Sequence, residues 1–420
     1  MESHVQRRMI PIVHDRLTEA AVLALQGPRS VGKSTVLAEI AAESGVDVLN
    51  LDDAAQAAIV ESSPGDFVAG PAPVCIDEYQ RAPSVLQAIK AELNRQFAPG
   101  RFVLTGSTRF ESLPSSTQAL TGRIQFLEVL PFSQGEIADT REDFLEVALR
   151  DPDLLQQSPK LPITARDEYA RRVCRGGLPI AVTLDGRARS RWFASYLAAT
   201  LAGDAPDLGG LRRADDLPRL LLRLAGQTGQ LLNVSNAARD VGLEARTADH
   251  YTQLLTDLFV VRKLPAWGRT LRARTGKSPK LHVIDSGLAA HMMRLSADKL
   301  ARLDPASLTE FGHVLETFVV GELIKQATWH ADVADIGHWR THDGHEVDLV
   351  IETFDGSVVA FEVKAQRQTA EHDRRGLVHL RDLLGDQFRA GFVLTTGELS
   401  GRMDDRIYTC PIDRLWRAHA

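Results

Sequence analysis

The stretch Gly27-Pro28-Arg29-Ser30-Val31-Gly32-Lys33-Ser34 has the spacing GxxxxGK[ST], a pattern built to grip a chain of phosphates. Gly27 and Gly32 permit backbone conformations that aim successive amide N–H groups at one anion. Lys33 neutralises charge on the outer phosphates, Ser34 offers a hydroxyl to Mg2+, and Thr35 extends the nucleotide-binding set. Downstream, the apolar run 73–76 ends in Asp77-Glu78. An Asp in that place holds the water shell of Mg2+, and a Glu beside it polarises an attacking water. The run 102–104 leads into Thr105-Gly106-Ser107, whose hydroxyls are alternative sensors of a γ-phosphate that spacing does not separate. Arg123, in Thr121-Gly122-Arg123, brings a guanidinium that can stabilise developing phosphate charge, either in its own subunit or in a neighbour's. ATP and Mg2+ are the expected cofactors.

A second set of residues lies near the C-terminus. Asp348 begins the apolar run 348–351, while Glu362 and Lys364 share one face of the run 358–363, because strand side chains repeat every two residues. Two carboxylates suit Mg2+, or Mn2+, and a nearby ammonium stabilises a phosphorane-like transition state. The arrangement resembles the PD-(D/E)xK nuclease core. That resemblance implies Asp348 and Glu362 as metal ligands, Lys364 as the catalytic cation, and Glu316 on the preceding helix as a further ligand. A fold that keeps these residues without cutting anything is the alternative.

Between the two sets, residues 262–280 hold Arg262, Lys263, Arg269, Arg272, Arg274, Lys277 and Lys280 with no acid, in a chain of formal net charge −6. Such local charge suits phosphate contacts and predicts a nucleic-acid partner, DNA by preference. Trp267 among them can stack a base or anchor the core. His338, His342 and His345 have no metal-ligand spacing and are read as surface residues.

Positioning these groups requires an α/β fold. Residues 21–25, 46–51, 73–76 and 101–105 read as strands, with helices over 33–44 and 84–96, the alternation of a parallel sheet covered by helices. From about 135 the periodicity turns helical, interrupted by Gly176-Gly177-Leu178-Pro179 and by the loop 204–210. Helical stretches at 220–225, 233–243 and 245–258, followed by the strand-like run 259–264, read as a helix-turn-helix with a wing. A helix over 314–326 and strands at 347–351, 358–363 and 391–395 complete a second α/β unit. The expected division is a P-loop domain over 1–135, a helical lid or linker over 136–217, a winged-helix-like domain over 218–300 and a nuclease-like domain over 301–420.

Composition agrees with a globular chain: 420 residues, 44% hydrophobic and 25% charged. No run approaches the roughly 20 apolar residues of a membrane span, and no secretory leader is visible, so a cytoplasmic chain without a membrane partner is expected. Cys75, Cys174 and Cys410 are too dispersed for a zinc site and are read as reduced core residues.

The P-loop octapeptide, Ile76-Asp77-Glu78-Tyr79-Gln80-Arg81-Ala82-Pro83, Leu104-Thr105-Gly106-Ser107 and Thr121-Gly122-Arg123 together resemble the prokaryotic AAA+-type ATPases that carry a C-terminal DUF4143 domain. Further matches are Arg175-Gly176-Gly177-Leu178-Pro179, Lys277-Ser278-Pro279-Lys280-Leu281, Asp285-Ser286-Gly287-Leu288, Leu315-Glu316-Thr317-Phe318-Val319 and Arg340-Thr341-His342-Asp343-Gly344. The chain departs from that pattern at Ser30, where Gln is usual, at Ser34, where Thr is common, and at Gly203, where Arg is usual. The resemblance implies ATP binding and this fold. The expected function is an ATP-binding and ATP-hydrolysing protein acting on nucleic acid, as an ATP-regulated Mg2+-dependent DNA nuclease or a DNA-processing motor. A homo-oligomer, formed through Arg123 reaching a neighbour, is the expected assembly. The alternative is a nucleotide-dependent DNA- or partner-binding switch, of defence or toxin–antitoxin type, with an inert nuclease fold.

Overall fold

A computed structural model describes residues 5–112, 120–156, 164–203, 215–301 and 305–418. The expected loop at 204–210 lies outside the described residues, and so does the Arg272 side chain.

The first sheet consists of β1 (Val22–Gln26), β2 (Val48–Asn50), β3 (Val74–Asp77), β4 (Phe102–Gly106) and β5 (Ile124–Glu128). Its order is β2-β3-β4-β1-β5, with every pairing parallel. Strands β1, β3 and β4 are buried along their whole length, as central strands covered on both faces must be. That explains their unbroken apolar runs. Edge strand β5 is not among the expected strands: it is half-exposed, and its Ile-Gln-Phe-Leu-Glu sequence gives a weaker signal.

The helices Gln134–Ala138, Phe144–Arg150, Arg166–Arg175, Pro179–Thr183 and Gly186–Gly203 form the middle region. Next, the helices Asp216–Ala225, Val234–Val241 and Ala245–Asp257 pack around a small antiparallel sheet of β6 (Gln230–Leu231), β7 (Val261–Leu264) and β8 (Lys280–Val283), ordered β6-β8-β7. The turn between the second and third of these helices has Gly242 in the left-handed conformation, φ 73°.

The long helix Pro305–Thr328 then lies against a six-stranded mixed sheet of β9 (Val333–Arg340), β10 (Glu346–Thr353), β11 (Val358–Lys364), β12 (Phe388–Thr395), β13 (Gly401–Asp404) and β14 (Ile407–Pro411), ordered β13-β14-β12-β11-β10-β9. One apolar core crosses the boundaries between these units. It runs from Leu25 and Val36 under the first sheet, through Phe144, Tyr169 and Leu288, to Val319, Phe361 and Phe392. Cys75 and Cys410 are buried in it, and Cys174 is half-buried at its margin.

Candidate functional site

The loop between β1 and the helix Lys33–Ser44 takes its shape from its glycines. At Gly27 a Cβ would lie 2.2 Å from the Val129 carbonyl oxygen, so only glycine lets the chain pass Val129 there. Gly32 is left-handed at φ 92° and caps the helix, which puts the amides of its first turn at the loop's mouth. Lys33 is buried, and its ammonium donates to the carbonyls of Gly27 at 3.0 Å and Pro28 at 2.8 Å. Ser30, Ser34 and Thr35 are exposed. Two residues that no motif announces hold the loop's backbone. Arg7 donates to the Val31 carbonyl at 3.1 Å and to that of Leu130 at 2.7 Å, and Tyr196 of the helix Gly186–Gly203 donates to the Arg29 carbonyl at 3.4 Å.

Asp77 ends β3 at the carboxyl edge of the sheet, the edge at which β1 delivers the loop. Thr105, on the neighbouring strand β4, donates its hydroxyl to the Asp77 carboxylate. Glu78 comes next in the left-handed region, φ 54°, and its backbone N–H donates to Thr105 Oγ1 at 3.1 Å. Its carboxylate accepts from the Gln80 amide and from Ser107 Oγ at 3.2 Å. Burial pushes the Glu78 carboxyl above the usual range, against the lowering pull of Lys33. Ser107 thus sits on Glu78 and Thr105 on Asp77, which separates two hydroxyls that spacing left equivalent.

Arg123 is elsewhere. The first residue of β1, Val22, donates its N–H to the Arg123 carbonyl, so Arg123 lies at the amino edge of the sheet. Four residues of strand, about 13 Å, separate that edge from the loop. Its guanidinium donates to the Lys90 carbonyl at 3.4 Å. The own-subunit role for Arg123 is therefore corrected: the strand length holds it away from its own loop.

In the C-terminal sheet, Leu349 of β10 pairs with Phe361 of β11, which sets Asp348 and Glu362 facing each other one step along. Asp348 Oδ2 accepts the Val363 N–H at 2.9 Å, and Lys364 Nζ donates to Glu362 Oε1 at 2.7 Å. Glu316, from the helix Pro305–Thr328, closes the group. Burial and the adjacent Asp348 charge push Glu362 up to about 8, and the same two causes raise Glu316. A further residue enters this cluster: Lys280 of β8, whose ammonium lies 2.7 Å from Asp348 Oδ1, 2.9 Å from Glu316 Oε1 and 2.7 Å from Glu346 Oε1.

Three family models match the chain in succession: an AAA domain at residues 19–138, a domain of unknown function (DUF8612) at 166–299 and a domain of unknown function (DUF4143) at 311–415. The chain carries an AAA domain followed by a C-terminal DUF4143 domain. Uncharacterized proteins of Mycobacterium bovis and Mycobacterium tuberculosis are each 27% identical to this chain over 404 residues, covering 95% of it and 82% of their own length. Among solved structures, the Walker-type ATPase of Pyrococcus abyssi is similar at 14% identity and a TM-score of 0.37, over 70% of this chain and 97% of the other. AMPPCP-bound DnaA from Aquifex aeolicus is similar at 12% identity and a TM-score of 0.30, over 61% of this chain and 89% of the other.

The basic stretch 262–280 is not one surface. Lys280 is 1% exposed and faces inward, which corrects its assignment to a nucleic-acid contact. Arg262 is paired with Glu128 at 2.5 Å, and Arg274 with Asp335 at 3.4 Å and Glu352 at 3.3 Å. Lys263 donates to Gln253 at 2.9 Å, and Lys277 to the Arg340 carbonyl. Arg269 is exposed. Trp267 is buried, with its indole N–H on Glu352 at 2.8 Å, so it is a core anchor. His338 is buried as well, its Nε2 3.1 Å from the Ser278 carbonyl oxygen, and burial pushes it down to about 4; the surface reading of His338 is corrected.

The two metal readings fare differently on geometry. Around the loop, Ser34 and Asp77 present oxygen donors of the type Mg2+ takes, at the edge where a phosphate chain would lie. In the DUF4143 domain the donors fit Lys280 better than a divalent ion: the ammonium holds one oxygen each of Asp348, Glu316 and Glu346. Among the described residues no group of three or more His, Cys, Asp or Glu side chains is arranged to hold a metal ion. Also among them, no helix is long and apolar enough to cross a membrane.

Proposed function

We propose that the protein binds and hydrolyses ATP and works as a nucleotide-dependent DNA-binding switch, its C-terminal domain being an inert nuclease-like scaffold. The observation that carries the ATP half is the meeting of the loop, Asp77, Glu78 and Thr105 along one sheet edge. A triphosphate entering the loop takes the Lys33 ammonium from the Gly27 and Pro28 carbonyls. Ser34 and Asp77 would hold Mg2+, which supplies charge neutralisation on the β- and γ-oxygens. Glu78, once released by Gln80 and Ser107, accepts a proton from the attacking water. Lys33→Ala should abolish ATP binding measured by calorimetry, and Glu78→Gln should keep binding while turnover falls on the order of 100-fold or more. A Lys33→Ala protein with wild-type turnover would overturn the assignment.

The switch half is supported by Arg109, two residues beyond Ser107. Its guanidinium donates to the Thr256 carbonyl at 3.3 Å and lies 4.6 Å over the Phe259 ring. Its backbone N–H donates to the Asp257 carbonyl at 3.1 Å. The hydroxyl that contacts Glu78 is thus two residues from a contact with the end of the helix Ala245–Asp257, so nucleotide state can reach the DUF8612 region through packed side chains. DNA is the proposed partner class, through Arg269, Lys263 and Lys277, and salt-dependent binding that weakens in Arg269→Ala tests it.

A second reading, an ATP-regulated Mg2+-dependent nuclease, is favoured by one observation: Asp348, Glu362 and Lys364 do converge. Cleavage of plasmid or single-stranded DNA with Mg2+ or Mn2+ by the wild type, lost in Asp348→Ala, would establish it over the scaffold reading.

A further inference from the structure

The acid cluster of the C-terminal domain is built from four carboxylates, Glu316, Glu346, Asp348 and Glu362, drawn from the helix Pro305–Thr328 and from β10 and β11. Left to themselves, these groups, with Glu316, Asp348 and Glu362 largely out of water and Glu346 at the rim, repel one another and call for a cation. The position a divalent ion would take is that of the Lys280 Nζ. An ion bound to Asp348 Oδ1 and Glu316 Oε1 at the roughly 2.1 Å of Mg2+ ligation would fall within the radius of an ammonium already 2.7 and 2.9 Å from those oxygens. On those two oxygens the two cations exclude each other.

Lys280 reaches the cluster from a separate unit, and that unit is fastened. It opens β8, the central strand of its sheet, with backbone partners Leu231 on one side and Leu264 on the other. The sheet is tied to β9 by His338 N–H to the Pro265 carbonyl at 2.9 Å and Trp267 N–H to the His338 carbonyl at 2.7 Å. It is tied to the helix Pro305–Thr328 by Thr228 against Thr317 at 2.8 Å and by the His282 ring against the same Thr317 at 3.1 Å. Withdrawing Lys280 means opening all of these. Burial works against the Lys280 charge, but the Asp348, Glu316 and Glu346 carboxylates outweigh it and hold the ammonium well above the ordinary lysine range. Nearby His282 and His338 are pushed down by burial to about 3 and about 4, which leaves them neutral beside it.

We infer that Lys280 is the resident cation of this cluster, a covalently tethered ammonium in the place of a divalent metal ion, and that it joins the DUF8612 sheet to the DUF4143 domain. The site accordingly takes no Mg2+ or Mn2+ in the native chain, and a divalent site appears only when the lysine is removed. This inference does not depend on nucleotide binding, and its test is run without nucleotide.

The probe is Mn2+, titrated into the nucleotide-free full-length chain and followed by electron paramagnetic resonance of the free ion. The wild type should show no stoichiometric site that Asp348→Asn removes. Lys280→Met should gain one such site, lost again in Lys280→Met/Asp348→Asn, and Mn2+ should raise its melting temperature while leaving that of the wild type unchanged. Because Lys280→Met leaves four carboxylates facing one ammonium, a charge-matched double variant, Lys280→Met/Glu316→Gln, is measured alongside it. That variant keeps Asp348, Glu346 and Glu362 as donors and should also acquire Mn2+. An Asp348-dependent Mn2+ site in the wild type would overturn the inference, and so would folded lysine-free variants that gain none.

Discussion

Glu78 is held in a conformation few non-glycine residues adopt, with its carboxylate turned to Gln80 and Ser107. The Gln80 bond favours the charged carboxylate, so it lowers a pKa that burial has raised. Removing that amide in Gln80→Leu should raise the Glu78 pKa further. A general base works only when deprotonated, so the acidic limb of the kcat/KM profile for ATP should move to higher pH, with the plateau kept within a few-fold. A pH–rate profile superimposable on that of the wild type would show that Gln80 does not tune Glu78. At this scale, the sequence makes legible whatever is local in the chain. Gly27, Lys33, Asp77 and Glu78 announce themselves through spacing because their chemistry is done by neighbours in sequence. Arg7 grips the loop from 24 residues away, and Lys280 meets Asp348 across 68, distances at which no spacing rule operates. For Lys280 a signal did exist: Lys280-Leu281-His282-Val283 alternates as a strand does, which puts Lys280 and His282 on one face.

Among elements, the joint between the helices Arg166–Arg175 and Ser286–Met292 bears most on how the domains meet. Asp285 caps the second helix, its Oδ1 accepting the Leu288 N–H at 2.9 Å, while Oδ2 takes the Gly177 N–H at 2.6 Å from the joint's other side. Gly176 has a positive φ of 69° with ψ −157°, a conformation open to glycine, and a Cβ there would meet Asp285 Oδ1 at 2.1 Å. Phe132, just beyond the first sheet, donates its N–H to the Gly177 carbonyl at 2.8 Å. Asp285→Ala therefore removes a cap and strands a buried N–H, a combined cost of about 2–4 kcal/mol that chemical denaturation can measure. Asp285→Asn, which keeps the acceptor oxygen for one of the two N–H groups, should recover roughly half of it. Equal stability of the two variants would mean the carboxylate's charge, rather than its acceptors, matters there. Elements with one consistent pattern, such as β1, β4 and the helix Lys33–Ser44, were legible within a residue or two. Those whose reason is tertiary were not: β5, β6, β8, β9, β13 and β14 are short, at edges or mixed in burial, and are held as strands by their partners.

Over the whole molecule, the continuous core decides whether ATP is felt beyond the loop. Residues of the first sheet and of the six-stranded sheet belong to one apolar cluster, bridged by Phe144, Tyr169 and Leu288. Polar contacts reinforce the bridge: the Gln134 N–H donates to Glu322 at 2.8 Å, and Lys325 donates to the Phe132 carbonyl at 3.0 Å. All five tryptophans, Trp192, Trp267, Trp329, Trp339 and Trp416, lie outside residues 1–135. Their fluorescence therefore reports the unfolding of everything except the unit that carries the loop. If the core makes one cooperative unit, ligand at about 100 times its Kd adds about 2.7 kcal/mol to all of it. Spread over the unfolding entropy of 420 residues, that raises the tryptophan-detected Tm by about 3 °C. The same shift should appear by circular dichroism, and Lys33→Ala should show neither. A tryptophan transition that ignores ATP, beside a second transition that tracks it, would mean the apolar bridge does not bind the two sheets into one folding unit. A nucleotide signal would then have to travel through polar contacts such as those of Arg109 and Tyr196.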